Sequence, residues 1–100
     1  MKATLIYRNK RVLSDGSIEE IVIWKLPEAS TESTKDRPHT FKYRLYFGLA
    51  DGTCKVRYDN EMGKGDHKHL LEQEMPYVFV SIEKLMDDFV ADVKRAKEGT

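Results

Sequence analysis

One cysteine, three prolines and six glycines are all that 100 residues contain of these types. A lone Cys54 excludes an intrachain disulfide framework and a zinc site built on several thiolates. No apolar run approaches the ~18–20 residues that a membrane-spanning helix needs. The N-terminal stretch also lacks the apolar centre of a secretory signal. The expectation is a cytoplasmic chain with no membrane association. An excess of charge of one sign is missing too, since 17 Lys plus Arg balance 17 Asp plus Glu. That balance argues against wholesale coating of nucleic acid, while leaving room for a local basic surface.

What is present suits one domain over 1–100, with 40% hydrophobic residues to build a modest core. The scarce glycines punctuate. Asp15-Gly16 and Asp51-Gly52 each read as a two-residue type I′ turn between alternating strands. Pairing symmetrically about the first sets Leu13 against Ile18, Arg11 against Glu20, Tyr7 against Trp24 and Leu5 against Leu26. Ile6, Ile21 and Ile23 then fall on the other face. Pairing about the second sets Leu45, Phe47 and Leu49 against Tyr58, Val56 and Cys54 on a core face. The opposite face carries Arg44 against Asp59, Tyr46 against Arg57 and Gly48 against Lys55. Cys54 therefore reads as packing. Between the hairpins, 28–39 is rich in Ser, Thr and charge and reads as a loop.

After the second hairpin, Leu70 to Pro76 reads as a bend and Tyr77 to Val80 as a short last strand. A helix is predicted over about 82–97. Ser81 supplies its N-cap, and Val80 and Leu85 stand at the staple positions. Ile82, Leu85, Met86, Phe89, Val90, Val93 and Ala96 follow the 3.6-residue period. Glu83, Asp87, Asp88 and Asp92 read as its solvated face, and Gly99 as its stop. The predicted architecture is α+β: an antiparallel sheet of about four to five strands with one C-terminal helix packed on one face.

Chemistry concentrates in one stretch, Arg57-Tyr58-Asp59-Asn60-Glu61-Met62-Gly63-Lys64-Gly65-Asp66-His67-Lys68-His69. Alternation along an extended segment sends both imidazoles of the His-Lys-His triplet to one side. Three readings fit. In metal-free RNA cleavage, His67 and His69 serve as base and acid, with Asp59 or Asp66 orienting a ring. Arg57, Lys64 and Lys68 then hold phosphate, and Arg44 with Tyr46 extends that surface by charge and stacking. In a metal site, the two histidines join one or two carboxylates, a thin ligand set without a third histidine. In a structural reading, the loop's charges satisfy one another. Gly63-Lys64-Gly65 lacks the spacing and the strand-to-helix setting of a phosphate-binding loop.

The chain resembles the small TumE-type proteins of bacterial and archaeal toxin–antitoxin loci. The likeness rests on Lys2-Ala3-Thr4-Leu5-Ile6, on Asp15-Gly16-Ser17 with the strand after it, and on Tyr43-Arg44-Leu45. Above all it rests on Arg57-Tyr58-Asp59-Asn60 followed by His67-Lys68-His69. The spacer here is short and carries glycine and lysine, where relatives often have a longer one with histidine and proline. The resemblance implies a toxin with a helix-turn-helix antitoxin partner, and it raises Asp59, Asn60, His67 and His69 as functional positions. The favoured expectation is a toxin acting on RNA without metal or cofactor. The catalytic set is His67, His69 and Asp59; Arg44, Tyr46, Arg57, Asn60, Lys64 and Lys68 contact substrate. The alternative is a non-catalytic module that acts by binding its antitoxin.

Overall fold

The computed structural model describes residues 4–26, 41–60 and 65–98. The expected loop at 28–39, Lys64 and the helix stop at Gly99 lie outside these residues. Among the described residues, six antiparallel strands form one sheet: β1 (Thr4–Val12), β2 (Ile18–Lys25), β3 (Phe41–Gly48), β4 (Cys54–Asp59), β5 (His67–Leu70) and β6 (Gln73–Pro76). They lie in chain order, a meander in which each strand pairs with its sequence neighbours. One helix, α1 (Ile82–Glu98), follows. The α+β class holds, with six strands where about four to five were expected.

Both turn readings need correction. Gly16 N–H donates to Leu13 O and Leu13 N–H to Ser17 O; Gly52 and Leu49 make the same two bonds with Leu49 and Thr53. Each loop therefore has three residues. Only the glycine takes positive φ, 85° at Gly16 and 92° at Gly52, so these are type I turns closed by a left-handed glycine. Asp15 and Asp51 stay at negative φ and each accepts the N–H two residues on. The first hairpin consequently shifts by one residue. Val12 opposes Ile18, Arg11 opposes Glu19, Tyr7 opposes Ile23 and, past an irregularity at Ile6, Leu5 opposes Trp24. In the second hairpin, Gly48 opposes Cys54 and Lys55 is the extra residue of a bulge. The bulge restores the anticipated pairs of Arg44 with Asp59, Leu45 with Tyr58, Tyr46 with Arg57 and Phe47 with Val56.

α1 covers one face of the sheet. Its buried Leu85, Phe89 and Val93 meet Ile21, Ile23, Tyr43, Leu45, Phe47, Val56 and Tyr58 in a single cluster. Full burial of a side chain such as Phe89 is worth about 1.5–3 kcal/mol. The N-cap is as read, with Lys84 N–H donating to Ser81 Oγ at 3.1 Å. Val80 stands exposed, so it makes no staple. Asp92 departs furthest from expectation. It is buried, and accepts hydrogen bonds from the Tyr58 hydroxyl, Lys68 and Arg95. Residues 77–80 form no strand; Tyr77 and Phe79 instead pack as rings against Tyr58, Phe41 and Tyr43.

Candidate active site

Cross-strand partners share a face, so the pairing sorts every candidate. Arg57 opposes His69 and Asp59 opposes His67 across β4 and β5, while Tyr58 opposes Lys68. Tyr58 belongs to the helix-covered core. The two histidines therefore sit on the sheet face away from α1, with Asp59, Arg57, Arg44 and Tyr46. Lys68 points the other way, and its Nζ lies 3.2 Å from Asp92.

The imidazoles meet edge to face, with ring centroids 5.3 Å apart. Their surroundings differ. His67 is buried, at 5% exposure. Its Nδ1–H donates to Gly65 O at 3.0 Å, and its Nε2 lies 2.8 Å from Asp59 Oδ1. Asp59 Oδ2 lies 3.1 Å from Arg57 Nε. These two charge contacts are close but off-line. Among the described residues, no donor is aligned on the buried Asp59 Oδ1, and no acceptor is aligned on Arg57 Nε. The distances are those of ion pairs, and the angles deny them full hydrogen-bond strength.

His69 is more open, with 21% of its side chain exposed. Its Nε2 is 2.9 Å from Arg57 Nη2. A guanidinium can only donate, so this nitrogen accepts and the proton of the neutral ring is on Nδ1. Desolvation, and then the positive charge of Arg57, hold His69 below the usual imidazole range.

Glu74, on β6 opposite His69, completes the group. One oxygen, Oε1, lies 3.8 Å from Nε2 of both histidines. Sequence reasoning missed this residue by placing it in a bend. Ligand atoms of His67, His69 and Glu74 fall within 4.8 Å of one another, a spacing that a metal ion could draw together. The chemistry opposes it. Arg57 already occupies His69 Nε2, and a dication there would meet a fixed positive charge at a cost of several kcal/mol, about 4 per charge pair at 4 Å and an effective dielectric of 20. Both imidazoles thus bring Nε2 to within 3.8 Å of one carboxylate oxygen, and Arg57 sits on His69.

The remaining candidates divide. Arg44 is half exposed beside Glu20 at 3.6 Å, and its guanidinium lies 5.4 Å from the centroid of Tyr46. The Tyr46 ring runs along the sheet over Gly48, where a Cβ would collide with the phenolic oxygen. Arg44, Tyr46 and Arg57 thus form a shelf beside the histidines. Asn60 is wholly buried; its Oδ1 accepts from Tyr43 N–H and its Nδ2 donates to Phe41 O, so it extends the β3–β4 ladder. Asp66 accepts from the Tyr43 hydroxyl at 2.8 Å and stands with the core side, leaving Asp59 as the carboxylate beside His67.

Among the described residues, no helix is long and apolar enough to cross a membrane. No curated protein and no solved structure matches the chain. The family model described as Toxin TumE matches residues 2–97. With that match spanning nearly its whole length, the chain belongs to the TumE toxin family.

Proposed function

We propose that the protein is the toxin of a toxin–antitoxin pair and that it cleaves RNA by metal-independent acid–base chemistry at His67 and His69. The observation that carries this reading is the unequal setting of two adjacent imidazoles. His69 faces a guanidinium and a 3.8 Å carboxylate; His67 faces two carboxylates and a carbonyl. Paired titratable groups in contrasting surroundings suit one base and one acid.

In this scheme a backbone phosphate takes the place of Glu74 Oε1, and Arg57 turns from His69 to the phosphate. The freed Nε2 of His69 accepts the proton of the ribose 2′-hydroxyl. The 2′-oxygen attacks phosphorus, and the 5′-oxygen leaves with a proton from His67 Nε2. The products are a 2′,3′-cyclic phosphate and a 5′-hydroxyl. Asp59 and Gly65 O hold the His67 ring in place. Arg44 and Tyr46 receive the neighbouring nucleotide by charge and stacking. Asn60 and Lys68 support the strands that carry the site.

The test is expression without the antitoxin, followed by sequencing of cellular RNA ends. Wild type should arrest growth and leave 2′,3′-cyclic phosphate ends. His69→Ala and His67→Ala should each lower cleavage about 10²–10⁴-fold, the usual contribution of a positioned acid or base. Retained cleavage in both variants, with the fold intact by circular dichroism, rejects the scheme. Growth arrest without any RNA cleavage would favour the second reading, a toxin that acts by binding.

A further inference from the structure

The two edges of the sheet are built differently. β6 has four residues, carries Glu74 and ends on Pro76, a short and guarded edge. β1 has nine residues, all exposed, and among the described residues it pairs on one side only. Leu5, Ile6, Tyr7 and Val12 are exposed at 42–68%. Arg8, Lys10 and Arg11 also lie on it, with no acidic residue. The hydrogen bond from Leu13 N–H to Ser17 O fixes the ladder's phase. Bonded pairs alternate from there, so Arg11, Asn9 and Tyr7 turn their backbone groups to β2, and Val12, Lys10 and Arg8 turn theirs outward. Beside this edge an apolar groove runs under α1, lined by Phe89, Val90 and Val93, with Lys94, Lys97 and the Arg11–Glu19 ion pair at its rim.

We propose that the outer edge of β1 binds an extended segment of a partner protein in which acidic and apolar side chains alternate. The segment adds a seventh strand. Its backbone bonds to Arg8, Lys10 and Val12, its acids meet Arg8 and Lys10 on the face away from α1, and on its other face an apolar side chain enters the groove by Val90. A second copy of this chain does not fit, because β1 against β1 would set cations against cations. The inference stands apart from the RNA chemistry, as β1 carries none of the residues assigned to it.

The test uses a nine-residue synthetic peptide alternating glutamate and valine, with a lysine–valine peptide as control. Amide hydrogen exchange is followed by NMR. The expected result is at least tenfold slower exchange at Arg8, Lys10 and Val12 with the glutamate peptide only. Lys10→Pro removes one outward N–H and should abolish the effect. Arg8→Glu with Lys10→Glu keeps every backbone group and should weaken binding at least tenfold, so the test survives if the proline variant fails to fold. Equal response to both peptides, no slowing in β1, or a wild-type dimer by sedimentation whose interface protects β1 would overturn the proposal.

Discussion

At the scale of single residues, Glu74 is the most informative side chain in the site. Its Oε1 sits 3.8 Å from both imidazole nitrogens, where the proposed scheme needs a phosphate oxygen. Substrate must displace a like charge to enter. Glu74→Gln should therefore raise kcat/KM for a short RNA several-fold, mainly through KM. A fall below wild type would instead place Glu74 in the chemistry. His69 gives a second expectation. Its pKa lies below the ordinary value, so the neutral, proton-accepting ring persists to lower pH. The acid limb of kcat/KM should fall below the usual imidazole titration, and Arg57→Ala, which removes a neighbouring positive charge, should move it upward. The facing histidines were legible because a strand alternates. Glu74 was not, because it reaches them across a turn that carries no sequence signal.

That turn, between β5 and β6, belongs to the scale of elements. Hairpins advertise themselves through glycine or asparagine at positive φ, yet here Leu71 takes φ 59°. A branched, 60% exposed side chain in the left-handed region costs about 1 kcal/mol. Leu71→Asn should recover up to about that amount in urea denaturation without altering the strands. The same hidden turn explains why 73–76 read as a bend and why the apolar run at 77–80 was promoted to a strand. The two DG turns show the reverse: their positions were plain, but the dipeptide does not separate a two-residue from a three-residue loop, and the register of the first hairpin moved by one while a bulge restored that of the second. The α1 stripe was readable from its period, whereas Asp92 was not. Period alone puts Asp92 among the helix carboxylates, and only the sheet beneath shows Tyr58 and Lys68 waiting for it. Burial by itself would raise its pKa; hydrogen bonds from Tyr58, Arg95 and Lys68 outweigh that and hold it low. Stability from this group is present above the unfolded carboxylate range near pH 4 and is lost as pH falls through the depressed value. Asp92→Asn should cost about 2 kcal/mol at pH 7 by thermal denaturation, and less in strong acid.

For the molecule as a whole, α1 covers one face of the sheet and leaves the other, with both histidines, uncovered by the helix. Equal totals of acid and base conceal this division. Arg44 and Arg57 stand together on the open face, 51% and 33% exposed, and the proposed scheme gives them the phosphate contacts. Two phosphate contacts to single-stranded RNA imply a slope near −1.4 in log affinity against log salt, about a sevenfold loss between 50 and 200 mM. A slope steeper than about −3 would mean that the binding surface extends well beyond these two arginines. The order of two hairpins followed by a helix made the α+β class readable. Which face would stay bare was less so, because both faces of β2 carry apolar residues, Ile21 and Ile23 on one and Ile18, Val22 and Trp24 on the other.

The clamp of Lys68 by Asp92 has a consequence for β5 itself. A slip of one residue in this four-residue strand would carry both imidazoles beneath the helix and turn Lys68 outward, away from Asp92. An ammonium cannot take up a proton near neutrality as an imidazole does, so the slipped strand would lack the base and acid of the proposed scheme. By tying the middle residue of the triplet from behind, Asp92 holds β5 in the frame that the proposed scheme requires.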